Sequence, residues 1–442
     1  MTFDPLPADT IVFDATIITM SAANDVIDGG AIAITNGRIA AVGTTAEVRS
    51  RFATQHLIDA GGGIVLPGFV NLHTHLAMTL FRGWADDRDL QEFLDRLFPS
   101  EARVVSPTTV RVGADLAFAE SVRAGITTSL DMYFYPKATA EAARQVGVRV
   151  ANGPVVFAFS GPDNMAFAAR MADADRLLGS SRHELTSGRW LCPHGTYTNE
   201  IAHLEEVRDL AAHHDARLTI HVAENAAEVA TVVAATGRRP VELLHDLGML
   251  SPRMVLAHAV ELTDQEISMI AATGAAVAHN PLSNMKLASG FARVPELLAA
   301  GVTIGLGTDG PSSSNDLDLY VALRFAATMH KGNMLDASVL PARQVLRMAT
   351  IDGARALGLD AEIRSIEVGK RADLQLLWAD HPNLVPSYDP ISTVVFAAGR
   401  GDVRTVLVEG ATVLRDGVLT TIDLAKTLAD ARQIAHEVRA TA

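Results

Sequence analysis

Eight short apolar segments, each ending in polar residues and most followed by a stretch of helical period, recur between residues 68 and 310, and they constrain the fold more than any other feature. They span 68–75, 128–133, 148–154, 190–195, 218–224, 254–260, 275–281 and 303–310. Amphipathic helix candidates lie between and before them, among them the stretch ending at 120–124, then 139–145, 201–213 and 263–272. Apolar strands alternating with helices predict a parallel α/β fold. Eight such strands are the number that closes a barrel, which is wound so that its chemistry sits at the C-terminal strand ends. A doubly wound open sheet is the alternative, but the first strand-to-helix turn lacks the Gly-x-Gly-x-x-Gly pattern of dinucleotide binding.

The flanks read differently. Segments 10–19, 30–34 and 38–42 alternate as strands around the turn Asn36-Gly37. Segments 372–378, 403–408 and 411–414 do the same around Glu409-Gly410 and Asp416-Gly417, which predicts antiparallel β structure at both ends. Two half-domains of this kind can complete one β-sandwich. The predicted organisation is therefore a composite domain from 1–66 and 360–442, including an amphipathic C-terminal helix over 424–439, around a barrel over 67–359.

A chain of 442 residues is long enough for both domains. Its net charge of −14 and lack of Lys/Arg runs argue against nucleic-acid binding. No basic-then-apolar leader opens the sequence and no uninterrupted apolar run of about 18 residues occurs, so the expectation is a cytoplasmic protein without membrane association. Cys192 is the only cysteine. Any metal must be held mainly by His, Asp or Glu.

Polar residues gather at the strand ends: His73 and His75 on the first, His194 on the fourth, His221 and Glu224 on the fifth, His258 on the sixth, His279 on the seventh and Asp309 on the eighth. His73 and His75 are two apart, so in a strand they share a face. An isolated His-x-His reads equally well as a polar strand terminus, but the ensemble favours a metal site with His73, His75, His221 and Asp309 as ligands. Three nitrogens and one carboxylate suit zinc and leave a place for water. Iron, manganese and nickel remain open, because such donors accept them too.

The segments Pro67-Gly-Phe-Val-Asn-Leu-His-Thr-His75, Pro193-His-Gly-Thr-Tyr-Thr198, His221-Val-Ala-Glu224, Ala257-His258, His279-Asn-Pro-Leu-Ser-Asn-Met-Lys286, Gly307-Thr-Asp-Gly310 and Ser365-Ile-Glu-Val-Gly-Lys-Arg-Ala-Asp373 together resemble the amidohydrolase superfamily, within it the metal-dependent aromatic aminohydrolases. The resemblance covers nearly the whole chain and implies a distorted (β/α)8 TIM barrel with a composite β domain from both termini. Members with two metals bridge them through a carbamylated lysine on the fourth strand. No lysine occurs here between Lys137 and Lys286, so one metal is expected, activating one water. By the same resemblance Glu224 is the acid that moves a proton to a ring nitrogen and then to departing ammonia, while His258 and Asp309 orient the water. The plainer alternatives are a carboxylate stabilised at a helix N-terminus for Glu224 and a supporting histidine for His258.

The stretch 78–101 resembles the subgroup that deaminates adenosine, methylthioadenosine and S-adenosylhomocysteine. In that subgroup the glutamate matching Glu101 holds the ribose hydroxyls and the histidine matching His194 contacts purine and sugar; His279 is expected with them as a substrate contact. Phe93 replaces the tryptophan common before that glutamate, and no arginine precedes Arg170 after the third strand. An amino-acid tail would therefore lack a cation for its carboxylate, which favours adenosine, methylthioadenosine or a smaller aminated heterocycle. Triazine, guanine and pterin hydrolysis share the same metal residues and stay open, as does a non-catalytic scaffold. A small-molecule substrate and a homo-oligomer are the expected partners. One cysteine excludes the small zinc deaminases, which need a Pro-Cys-x-x-Cys pair.

Overall fold

The computed structural model describes residues 5–23, 26–180 and 188–441. All eight predicted segments are strands: Phe69–Thr74, Ile126–Asp131, Arg149–Asn152, Trp190–Pro193, Arg217–Val222, Met254–His258, Ala276–His279 and Ile304–Leu306. The first pairs with the second, the second runs parallel to the third, and the fourth to the eighth pair in parallel in sequence order. The third is broken. Arg149–Asn152 pairs with the second strand, and after Gly153-Pro154 the short Val155–Val156 pairs with the fourth. Pro154 has no N–H to donate to a ladder, and its carbonyl still accepts the Cys192 N–H at 3.0 Å. Gly153 is there because a Cβ would lie 1.8 Å from the Trp190 carbonyl oxygen.

Side chains and main chain tie the end of the eighth strand to the first. Asn71 donates from Nδ2 to Thr308 Oγ1 at 2.7 Å, and Asn71 Oδ1 accepts the Thr308 N–H at 3.0 Å. The Asp309 N–H reaches the His73 carbonyl at 3.0 Å. Buried groups of this kind must be paired, and here each pairs across the seam. Gly307 permits the approach, since a Cβ would sit 2.9 Å from the His73 carbonyl oxygen and 2.1 Å from Asn280 Oδ1.

The flanking segments form one nine-stranded mixed sheet. Thr10–Ile18, Val26–Thr35 and Arg38–Thr44 come from one end of the chain, with Leu57–Asp59 and Ile64–Pro67 beside them. Leu374–Leu377, Val403–Val408, Ala411–Arg415 and Val418–Leu419 come from the other. The halves meet where Leu374–Leu377 runs antiparallel to Ile64–Pro67. Val12, Ile17, Ile32, Val65, Leu374 and Leu407 pack into one apolar cluster on this sheet. The parallel α/β barrel and the composite β domain built from both termini are thus the architecture of the chain.

The division into compact units differs from the predicted one. One unit holds Met1–Val70, Glu120–Thr127 and Asp318–Thr421; the other holds Asn71–Ala119, Thr128–Leu317 and Ile422–Ala442. The C-terminal helix Leu424–Arg439 therefore groups with the strand-end site and not with the sheet. Its apolar stripe is the cause: Ile434 and Val438 bury against the cluster of Phe81, Leu94 and Leu97. Thr441 Oγ1 adds a 2.8 Å bond to Ser100 on helix Leu90–Val104. Among the described residues no helix is long and apolar enough to cross a membrane.

Forcing the seam apart should be measurable. Gly307→Ala is expected to destabilise the protein by about 1–3 kcal/mol, the usual range for overpacking, read as a lower urea midpoint. An unchanged midpoint would mean that the approach of the two strands is not tight.

Candidate active site

The first strand delivers His73 and His75 to the cavity end of the barrel. His73 is fully buried, and its Nδ1 and Nε2 have no hydrogen-bond partner. Asp309 Oδ1 is equally unpartnered by hydrogen bonds, lying 3.4 Å from His73 Nε2 and 3.2 Å from His75 Nε2. His221 Nε2 is 3.2 Å from His75 Nε2. Two imidazole nitrogens at that separation need a proton or a cation between them. The donor atoms of His73, His75 and His221 lie within 4.8 Å of one another, and so do those of His73, His258 and Asp309.

The remaining atoms of these ligands are held from behind. His75 Nδ1 lies 2.5 Å from the Met132 carbonyl, and His221 Nδ1 lies 2.6 Å from the His194 carbonyl. A carbonyl there accepts a hydrogen bond from Nδ1–H and so keeps the Nε2 lone pair pointing inward, as metal-ligating histidines require. Asp309 Oδ2 accepts from Ser283 Oγ at 2.6 Å and Ser313 Oγ at 2.7 Å, which leaves Oδ1 for the site. Asp131 Oδ1 accepts the Leu76 N–H at 2.8 Å and fixes the turn after His75.

Electrostatics agree with a cation site. Burial holds His73 down at about 4 and His221 well below the ordinary imidazole value, so both are neutral donors. For Asp309 burial acts upward, but the imidazoles of His73 and His75 outweigh it and hold the carboxyl well below the usual range. His75 and His258 are lowered by burial, yet nearby carboxylates turn the net shift upward: chiefly Asp309 for His75 and Glu224 for His258. A buried cluster that draws positive charge onto its imidazoles suits a divalent ion. The residues present therefore fit one metal, and the chain carries a divalent-metal site here.

His258 and Glu224 stand beside this group, with His258 Nε2 3.7 Å from Glu224 Oε2. Asn284 Oδ1 lies 2.8 Å from His258 Nδ1. Backbone strain marks the same place: His258 has φ +73°, Asp309 +60° and Ala223 +49°, all in the left-handed region that non-glycine residues rarely adopt.

A cavity opens from the metal site. Its walls include His75, His194, His221, Glu224, His258 and Asp309 at the polar end. Phe93, Leu94, Phe98, Phe134, Phe157 and Tyr197 line the apolar part. Glu101 also lines it, only 2 % exposed, accepting the Tyr133 hydroxyl at 2.5 Å. Burial pushes Glu101 up to about 7, against the opposing pull of Tyr133 and His75. His194 forms another wall, with Nδ1 3.1 Å from Thr198 Oγ1; burial, with the charge of His75 and His73, holds its ring down at about 3. His279 departs from the expectation. It is fully buried at the end of the seventh strand and is not part of the cavity wall, so it is not placed to touch a substrate there.

The model of the amidohydrolase family matches residues 64–413. The chain belongs to the amidohydrolase family. A bacterial imidazolonepropionase-like composite domain matches residues 30–53 as well. The family member named 5-methylthioadenosine/S-adenosylhomocysteine deaminase from Syntrophobacter fumaroxidans is 41% identical over 98% of this chain and 99% of its own length. A 5′-deoxyadenosine deaminase from Methanosarcina mazei is 37% identical over 98% of each chain. The crystal structure of an adenosine deaminase from Xanthomonas campestris with bound zinc superposes with a TM-score of 0.94 at 37% identity, covering 99% of this chain and 100% of the other. As an amidohydrolase, the chain is a hydrolase that acts on C–N bonds of amidine type.

Several supporting residues were not singled out from sequence. Ser283 and Asn284 sit inside the quoted 279–286 motif, and Tyr133 ends the predicted segment 128–133, two residues past the observed strand, so position alone could have flagged them. Ser313 and Glu228 carried no signal beyond distance from a ligand. Removing both hydroxyls from Asp309, as Ser283→Ala with Ser313→Ala, is expected to weaken metal binding by about 10–100-fold in a competitive chelator titration, the usual cost of losing partners behind a ligand. Unchanged affinity would show that Asp309 needs no such support.

Proposed function

We propose that this amidohydrolase replaces the amino group of an adenosine-type nucleoside with oxygen, releasing ammonia, and that adenosine, 5′-methylthioadenosine and 5′-deoxyadenosine form the substrate class. The observation that carries this reading is one cavity lined by His75, His221, Glu224, His258 and Asp309 and also by the buried carboxyl of Glu101. Together these offer polar contacts for a purine amidine and for a sugar among apolar walls. The deaminase activities for which the relatives are named point the same way.

A divalent ion held by His73, His75, His221 and Asp309, zinc by its donor set, supplies when bound a water that ionises near neutral pH. The remaining chemistry belongs to the chain. Burial raises the Glu224 carboxyl, which makes it a better proton acceptor. It takes one proton from the water as that adds to the amino-bearing carbon, passes it to the neighbouring ring nitrogen, then takes the remaining hydroxyl proton and passes it to the leaving amine. His258 and Asp309 flank the attacked face and orient the water. Atoms balance: one water is consumed, and one carbonyl product and one ammonia form.

Glu101 is proposed to accept the ribose hydroxyls, and His194 to pack against purine and sugar. Among the described residues no lysine or arginine lines the cavity. Arg170, the nearest arginine after the third strand in sequence, is buried and committed: it pairs with Asp163 through Nη1 at 2.5 Å and Nη2 at 2.8 Å, and stacks 4.0 Å over Phe157. A substrate carboxylate would find no cation in this wall among the described residues, which supports small neutral 5′ groups over an amino-acid tail.

Ammonia release is the test, run with adenosine, 5′-methylthioadenosine, S-adenosylhomocysteine, guanine, pterin and aminotriazines. Adenine nucleosides are expected to turn over, S-adenosylhomocysteine less well, and Glu224→Gln to lose about 10²–10⁴-fold in kcat. Turnover of only another ring would overturn the substrate reading. Glu101→Gln is expected to raise KM for adenosine by about 10–100-fold, the worth of a charged hydrogen bond, and to leave 2′,3′-dideoxyadenosine unaffected. Because Glu101 ionises at about 7, wild-type KM for adenosine should fall as pH rises through that value. An equal effect on both nucleosides would remove Glu101 from the sugar.

A further inference from the structure

We propose that Glu228 is the positioning residue that aims Glu224 into the cavity; this rests on the reading of Glu224 as the proton carrier. The reason lies in strand parity. In a continuing strand, residues 221 and 224 would face opposite sides, because odd spacings alternate. Both nevertheless line the cavity. The fifth strand ends at Val222, and the helix Ala226–Thr236 begins after a link of three residues. Within that link Ala223 takes φ +49°, and this left-handed turn swings Glu224 back toward the side of His221.

The turn exposes two consecutive N–H groups that belong to neither the strand nor the helix, and buried donors of this kind need acceptors. One carboxylate takes both. Glu228 Oε1 accepts the Ala223 N–H at 3.0 Å, and Oε2 accepts the Glu224 N–H at 2.6 Å. On the other side, the Ala223 carbonyl accepts the N–H groups of Val260 and Glu261 at 3.0 and 2.9 Å. Glu228 is itself fixed in the first helical turn, its N–H donating to Asn225 Oδ1 at 2.8 Å, where a carboxylate also suits the helix dipole. Thr196 Oγ1 lies 3.5 Å from Oε1. Glu228 is 6 % exposed and does not line the cavity. It acts through Glu224, not on substrate.

Glu228→Gln keeps one carbonyl oxygen but sets an amide NH₂ against a backbone N–H, so one of the two bonds is lost. With metal content equal to wild type, kcat is expected to fall by about 100-fold with KM within about threefold, the signature of a group that acts in the transition state only. The decisive comparison is the pair of Glu224→Gln and Glu224→Gln/Glu228→Gln. If Glu228 works through Glu224, the second substitution changes kcat by less than about twofold once Glu224 is gone. Losses that multiply, or a Glu228→Gln enzyme at wild-type kcat, would overturn the proposal. A readout without turnover is amide hydrogen exchange. The amides of Ala223 and Glu224 should exchange faster in Glu228→Gln while the rest of helix Ala226–Thr236 stays protected, and unchanged protection at those two amides would also overturn it. If no panel compound is hydrolysed by the wild type, the reading of Glu224 fails while exchange still decides whether Glu228 holds the turn.

Discussion

The site depends on the seam between the first and eighth strands. Asn71 and Thr308 exchange hydrogen bonds there, and the Asp309 N–H meets the His73 carbonyl. These bonds place a carboxylate from one end of the barrel sequence against two histidines from the other, more than 230 residues apart. Each group is buried, so breaking the register would leave polar atoms unpaired as well as scatter the ligands. Gly307 makes the approach sterically feasible. Stability of the barrel and assembly of the metal site are thus one constraint.

Around that seam the protein arranges charge in low dielectric. Asp309 is held acidic among imidazoles, burial raises the Glu224 carboxyl, and burial raises Glu101 to about 7 in the same cavity. In the proposed reading, three carboxyl groups of similar intrinsic acidity serve as ligand, proton carrier and sugar contact because of what surrounds each of them. The strained residues His258, Asp309 and Ala223 fall in the same shell. Their backbone conformations are kept by hydrogen bonds from neighbouring strands, which is how a rigid scaffold holds groups in orientations that a free chain would avoid.

Much of this was legible in the chain. The barrel strands are apolar and short, with the proposed ligands at their polar ends, so periodicity marks all eight; the helices 201–213 and 424–439 have the limits that the sequence predicts. Other features depend on tertiary contacts that sequence spacing does not encode. Glu224 shares a cavity with His221 only because Ala223, an ordinary alanine, turns left-handed. Arg170 lies near the cavity but spends its charge on Asp163. His279 sits at a strand end like the other histidines yet is packed away from the cavity wall. The C-terminal helix was readable as a helix, but its destination was not, since an apolar stripe does not name the surface that it covers.

The proposed centre is one metal ion held by three histidines and one aspartate, and metal analysis combined with X-ray absorption reads it out. About one divalent ion per chain is expected, with nitrogen and oxygen donors at about 2.0–2.2 Å, and one nitrogen donor should be lost in His73→Ala. Two ions per chain, or a donor shell unaltered by that substitution, would contradict it.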